Sequence, residues 1–289
     1  MANYYRCFSK LLTAASGVGS GVLIVYYGLL QNDKNKVYAS ANTTSQTQRH
    51  GIAVHKWDSN WDRRNPASIL ESKGISEEDK GYQNELEKLI PKSTRHIFLI
   101  RHGQYNLDGA TDKDRYLTPL GRKQAEYTGN RLKELNFPYT SLIKSTMVRA
   151  QETAGVVMEC LQDIPFKKIK DCNLLEEGAP IPPEPPVGHW KPEAYQFYQD
   201  GPRIEAAFRK YIHRADVSQT EDSYDILVSH ANVIRYFVCR ALQFPPDAWL
   251  RFTIHHCSIT WIVITPTGRV IVRGLGDSGH IPSEAVTSN

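Results

Sequence analysis

His96-Ile97-Phe98-Leu99-Ile100-Arg101-His102-Gly103 is the stretch on which the fold turns. Its first five residues form a short apolar run, the length of a buried strand rather than of a helix. A permanently charged fork, an imidazole and a glycine follow at once. In open α/β sheets ligands bind beyond the carboxyl ends of the strands, so the placement of Arg101-His102-Gly103 matters more than the tripeptide itself.

Downstream, strands alternate with helices, which predicts an α/β domain with a largely parallel sheet. Thr118 caps a helix whose first position is Pro119, with Leu120, Ala125, Thr128, Leu132 and Leu135 on one face. A strand from Thr140 to Lys144 leads through Ser145 into a helix spanning 149–161. Pro180 to Pro186 is too proline-rich for a helix or a central strand and predicts an extended loop. Glu193 to His213 reads as a helix and Tyr224 to Ser229 as a buried strand. A further helix follows, carrying Val233, Ile234, Phe237, Val238 and Ala241 inward. Two strands, Ser258 to Ile264 and Arg269 to Leu275, close the domain around the turn Pro266-Thr267-Gly268.

Upstream, the character changes twice. Residues 32–92 are polar and lack a sustained period, apart from a short helical candidate at Tyr82 to Leu89, and are expected to be a linker. Before them, residues 1–31 contain an uncharged run, Leu11 to Leu30, whose length as a helix matches the ~30 Å hydrocarbon core of a bilayer. It reads as one membrane anchor. A cleaved secretory signal is the rival reading, with Arg6 and Lys10 ahead of the run and Ala39-Ser40-Ala41 behind it, although signal cores are usually about 7 to 15 residues. The catalytic domain is then expected at 93–289.

With 40% apolar and 23% charged residues the composition is that of a globular enzyme. A net charge of +4 without a Lys/Arg stripe argues against a nucleic-acid partner. The five cysteines form no C-x-x-C pair, which does not suit a disulfide framework.

Three more residues of complementary type fall at the loops that follow strands. Arg149 begins the helix after the second strand, His230 follows the strand Tyr224 to Ser229, and Glu177 lies just after Leu174-Leu175, with Glu176 beside it as the competing acid. Singly, each has a plain structural explanation. Together with Arg101 and His102 they compose one reaction, because a neutral imidazole attacks phosphorus, arginine forks bind phosphate oxygens, and a carboxyl serves as acid and then base.

Arg101-His102-Gly103, Leu117-Thr118-Pro119-Leu120-Gly121-Arg122-Lys123-Gln124-Ala125, Ser145-x-x-x-Arg149-Ala150-x-Glu152-Thr153 and Val228-Ser229-His230 together resemble the histidine phosphatase, or phosphoglycerate mutase-like, superfamily. The resemblance implies a three-layer sandwich with a mostly parallel central sheet and helices on both faces. It also implies phosphate-pocket roles for Arg101, His102, Arg149 and His230, and no metal or other cofactor. The anchor, Trp57-Asp58-x-Asn60-Trp61-Asp62 and the stretch Arg203 to Asp216 resemble, more narrowly, the membrane-anchored Ser/Thr protein phosphatases of that superfamily found in mitochondria. That narrower likeness implies phosphoserine and phosphothreonine proteins as substrates, apoptosis signal-regulating kinase among them. It further implies a mitochondrial location, with the outer membrane favoured over the inner, and homo-oligomers assembled through the tryptophan motif.

Mutases of this superfamily carry Glu after Arg-His-Gly, whereas Gln104-Tyr105 stands here, so mutase activity is the weaker reading. A small-metabolite phosphatase and a catalytically idle membrane scaffold are the other two alternatives. Trp57 and Trp61 in a polar segment need a surface to bury against. A neighbouring protomer's catalytic domain is the expected surface, and the chain's own domain the alternative.

Overall fold

The computed structural model describes residues 56–188 and 191–288. Among them six strands form one sheet: β1 (Arg95–Arg101), β2 (Ser141–Lys144), β3 (Lys168–Asp171), β4 (Ser223–Ser229), β5 (Ile259–Ile264) and β6 (Val270–Asp277), in the spatial order β3-β2-β4-β1-β5-β6. The first four in that order run parallel, and β5 and β6 lie antiparallel at one side. The helices are α1 (Pro66–Ser72), α2 (Tyr82–Leu89), α3 (Pro119–Leu135), α4 (Val148–Cys160), α5 (Ala194–Tyr211) and α6 (Ala231–Ala241).

Strand β1 shows why the layers form. Successive side chains point to opposite faces. Ile97 and Leu99 pack with Ile204, Phe208, Val233 and Phe237 of α5 and α6. Phe98 and Ile100 pack with Leu132, Ala150, Ala154 and Val157 of α3 and α4. All four β1 side chains are buried, each contributing about 1.5–3 kcal/mol of apolar burial. A strand covered on both faces needs a helix layer on each side, which gives the three-layer α/β sandwich.

Local signals place the helix starts. Thr118 Oγ1 accepts the Gly121 N–H at 3.0 Å, one turn into α3 behind Pro119. Glu193 and Gln196 form the reciprocal cap that opens α5. Two elements were not expected. β3 is a four-residue edge strand, Lys168-Ile169-Lys170-Asp171, exposed along its length and so without a hydrophobic period. Helix α1 is short, and its start is an Asn65 cap followed by proline.

The compact unit runs from Trp57, not from residue 93. What reads as a polar linker is, from residue 57, packed on the domain, because a few of its residues find deep partners. Trp61 is 6% exposed, tilts against Phe208 at 6.2 Å and donates its indole N–H to the Gly268 carbonyl at 2.9 Å. Asp62 and Arg214 form an ion pair at 3.3 Å with both side chains fully buried, and Asp62 also accepts the Arg214 backbone N–H at 2.9 Å. Asp58 exchanges two hydrogen bonds with the Gln243 side chain, and the Asn60 side chain accepts from the Asn65 N–H. The motif therefore docks on its own domain in this chain, the alternative to a neighbour's. Trp57, at 38% exposure, stays near the surface.

Among the described residues no helix is long and apolar enough to cross a membrane; the anchor expected at 11–30 lies outside them.

Candidate active site

The sheet register brings three strand ends level. Arg101 sits opposite Ser229, and Lys144 opposite Val228, so the next residues along β1, β2 and β4 are His102, Ser145 and His230 on one rim. The His102 N–H bonds to the Ser229 carbonyl at 2.9 Å, and the Ser145 N–H to Val228 at 2.9 Å, extending the ladder past the strands. The rings of His102 and His230 then lie 5.0 Å apart.

Glycines make the approach possible. A Cβ on Gly121 would fall 1.9 Å from the Gln104 carbonyl oxygen, and one on Gly103 would fall 2.5 Å from the Gly121 carbonyl oxygen. The Leu-Thr-Pro-Leu-Gly segment is thus pressed directly onto the loop that carries His102. The other motif residues lock that arrangement. Thr153 Oγ1 accepts the Gly103 N–H at 3.0 Å and donates to the Arg149 carbonyl at 2.7 Å, and Glu152 accepts the Leu117 N–H at 2.6 Å.

The tautomer of His102 follows from its partner. Nδ1 lies 2.8 Å from the Gly103 carbonyl oxygen, which can only accept, so the proton is on Nδ1 and Nε2 carries the lone pair. Arg149 Nε–H donates to that Nε2 at 3.3 Å. Burial, then His230, Arg101 and Arg149, hold His102 well below the ordinary histidine range, and burial does the same to His230. Both imidazoles are neutral at pH 7. Arg101, pulled down to about 10 chiefly by burial, stays charged.

Glu177 and Glu176 separate clearly. Glu176 accepts from the Thr146 hydroxyl, outside the pocket. Glu177 faces Arg149 and Arg101, and burial raises its carboxyl above the ordinary value against the opposing pull of Arg149, the Gly178 N–H and Arg101. Its loop is clamped from α5, where Arg203 donates to the carbonyls of Leu174, Glu176 and Glu177 at 3.2, 2.7 and 3.0 Å. All five candidate residues are therefore gathered at one place.

Sequence reasoning missed several supporting residues. Ser145 Oγ meets His230 Nε2 at 2.9 Å, and Asp112 lies 3.4 Å from Arg149 Nη1 while accepting the Val148 N–H that opens α4. Tyr105 stands under the Arg149 guanidinium at 4.7 Å. Asp112 had no signal to find it by, since it lies in a polar loop without period. Ser145 marks a strand end in the sequence, and its hydroxyl gains His230 as a partner only in the folded chain. From Arg149 and Glu177 a cleft of about 500 Å³ opens, bordered by Arg115, Met147, Lys191 and Asp200.

Comparison with known proteins agrees with this geometry. The sequence model described as the histidine phosphatase superfamily (branch 1) matches residues 97–275. The chain is 51% identical over 281 residues to the serine/threonine-protein phosphatase Pgam5, mitochondrial, of Drosophila pseudoobscura pseudoobscura, covering 96% of both chains. Its identity to the Drosophila mojavensis protein of the same name is 49% over 281 residues, with the same coverage. Among solved structures, Bacillus stearothermophilus YhfR superposes with a TM-score of 0.50 at 21% identity, covering 65% of this chain and 100% of that one, a likeness of fold.

Proposed function

The chain belongs to the histidine phosphatase superfamily, and from that membership and the pocket we propose that it is a mitochondrial protein serine/threonine phosphatase working through a phosphohistidine on His102. The observation that carries the mechanism is the proton on Nδ1, bonded to the Gly103 carbonyl, which leaves Nε2 as a neutral nucleophile beside Arg149. In the first step Nε2 attacks phosphorus, the P–O bond to the seryl or threonyl oxygen breaks, and Glu177 gives that oxygen its proton. In the second, water attacks phosphorus, its proton passes to Glu177, and the P–N bond breaks. Arg101, Arg149 and His230 hold the non-bridging oxygens through both steps.

Two features support a protein substrate over mutase activity. Gln104, where mutases carry Glu, has its side-chain oxygen engaged by the Thr118 hydroxyl at 2.7 Å. The cleft of about 500 Å³ beside Glu177 leaves space next to the phosphate pocket for groups that flank a phosphorylated side chain. Hydrolysis of phosphothreonine peptides is expected to exceed isomerisation of 3-phosphoglycerate by about 10³-fold or more in kcat/KM, on the order of what transition-state discrimination between unlike substrates supplies. Comparable isomerisation would overturn this reading.

The raised Glu177 carboxyl fixes the sign of the pH dependence. Phosphoenzyme formation needs its acid form, so the rate falls as pH rises through a value above the ordinary carboxylate range. Glu177→Gln is expected to slow phosphoenzyme formation from a phosphothreonine peptide by about 10²–10³-fold, to spare an aryl phosphate with its better leaving group, and to erase the basic limb. Equal losses on both substrates would remove Glu177 from the acid role.

The finer parts of the proposal concern place and company. Residues 11–30 form a single-pass anchor in this proposal, supported by their length and lack of charge, and its seat in the mitochondrial outer membrane rests on the likeness to the mitochondrial phosphatases. Complete release of the full chain by carbonate washing would rule the anchor out. Like chains associate by exchanging the strap around Trp61, since every protomer offers the same pocket beneath Gly268. Phosphoproteins such as apoptosis signal-regulating kinase are the substrates.

A further inference from the structure

One buried histidine at this site has no part in the steps above. His256 lies in the loop before β5, is fully buried, and places its ring 5.5 Å from that of His102 and 6.4 Å from that of Tyr105. Its Nε2 is buried and makes no hydrogen bond. A buried polar atom in that condition is costly to keep, so its persistence asks for a partner that arrives from elsewhere.

The surrounding hydrogen bonds bear on which nitrogen holds the proton. The side chain of Gln124 is oriented by two backbone groups of fixed polarity: its Oε1 accepts the Gln104 N–H at 2.9 Å, and its Nε2 donates to the Ala285 carbonyl at 2.7 Å. The second amide hydrogen goes to Thr287 Oγ1 at 2.8 Å. Thr287 accepts from Gln124, which leaves its own hydroxyl proton available to His256 Nδ1, 2.8 Å away. With Nδ1 accepting, the ring proton is on Nε2. The backbone fixes the pair as well, since the His256 N–H bonds to the Thr287 carbonyl at 2.9 Å. Burial and the nearby Arg101 push His256 down to about 3, which keeps the ring neutral across the working range.

The same segment reaches Arg101. Its Nη1 donates to the carbonyls of Ile254 and Ser288 at 2.6 and 2.8 Å, so residues 285–288 brace an arginine and a histidine of one pocket together.

We infer that His256 is a further substrate-binding residue, whose Nε2–H binds an oxygen of the phosphoryl group in a tautomer set by Thr287 and Gln124. This rests on the phosphatase reading and adds a donor to it. A neutral donor suits the position. It can donate to the phosphoryl oxygens as they gain charge without adding a third fixed positive charge beside Arg101 and Arg149. Thr287 and Gln124 act on the reaction only through His256 and are positioning residues.

The test uses the full chain, with inorganic phosphate and orthovanadate as probes. In ¹⁵N spectra His256 is expected to be the Nε2–H tautomer, and added phosphate should shift its Nε2 resonance. His256→Leu should weaken vanadate inhibition and lower kcat/KM for an aryl phosphate by about 10- to 100-fold, the range of one hydrogen bond to a charged group. His256→Gln, which restores an N–H at that reach, should recover most of the loss. Thr287→Val should unsettle the tautomer signal and cost less than His256→Leu. A phosphate-insensitive His256 resonance in the unaltered chain overturns the inference without any variant having to fold, as does an unchanged vanadate constant in His256→Leu. Turnover of aryl phosphate without turnover of phosphopeptides would sink the protein-phosphatase reading and leave His256 to be judged on the anions alone.

Discussion

Replacement of His102 by alanine is expected to lower phosphopeptide turnover by about 10⁴-fold or more, the scale seen when the nucleophile of a covalent mechanism is removed. Rapid quench of the unaltered enzyme with labelled substrate should trap a phosphoenzyme that is labile in acid and stable in base. The expectation has a local basis. Cys257, whose N–H bonds to the carbonyls of Arg101 and His102, sets a thiol beside the pocket, and burial pushes it far up, so it stays protonated and unreactive. Label recovered on serine or cysteine would refute the phosphohistidine.

Breaking the strap should have the second large effect, and it should distinguish the two tryptophans. Asp62→Ala leaves the Arg214 guanidinium buried without its counter-charge, which costs about 3–5 kcal/mol, and Trp61→Ala costs a similar amount through the cavity it opens. Trp57→Ala, at a half-exposed position, should cost less than about 1 kcal/mol. Urea unfolding of residues 50–289 measures all three, and light scattering on the same samples reports mass. If Trp61→Ala unfolds at the unaltered midpoint, the docked strap is not part of the folded unit. If stability falls and mass does not, strap exchange is not what joins the chains.

Much of this was legible before any coordinates. His96 to Ile100 announced a strand buried on both faces because a parallel strand in an α/β sheet shows a continuous apolar run, and Thr118-Pro119 announced a helix start because cap chemistry is local. His102, Arg101, Arg149 and His230 were legible for a related reason: each follows a strand or opens a helix, positions that sequence period marks well. Three things resisted. β3 is an exposed edge with neither period nor burial. The domain's beginning at Trp57 depends on partners such as Gly268 and Arg214, and no local pattern around residue 57 reveals so distant an acceptor. His256 lies in a loop ahead of β5, and its meaning comes from Thr287 and Gln124, which meet it only in three dimensions. The choice between Glu176 and Glu177 likewise needed the side chains, since adjacent residues in an extended segment point opposite ways.

The hydrogen bond from Trp61 to Gly268 spans 207 residues of chain. Ribosomes add about 5–20 residues each second, so the indole is made some 10–40 s before its acceptor. During that interval the nascent chain displays an unpaired tryptophan and a lone Asp62 while β1 still waits for β4, its parallel partner. The strap is thus among the first parts of the domain to be synthesised and among the last able to find its native seat.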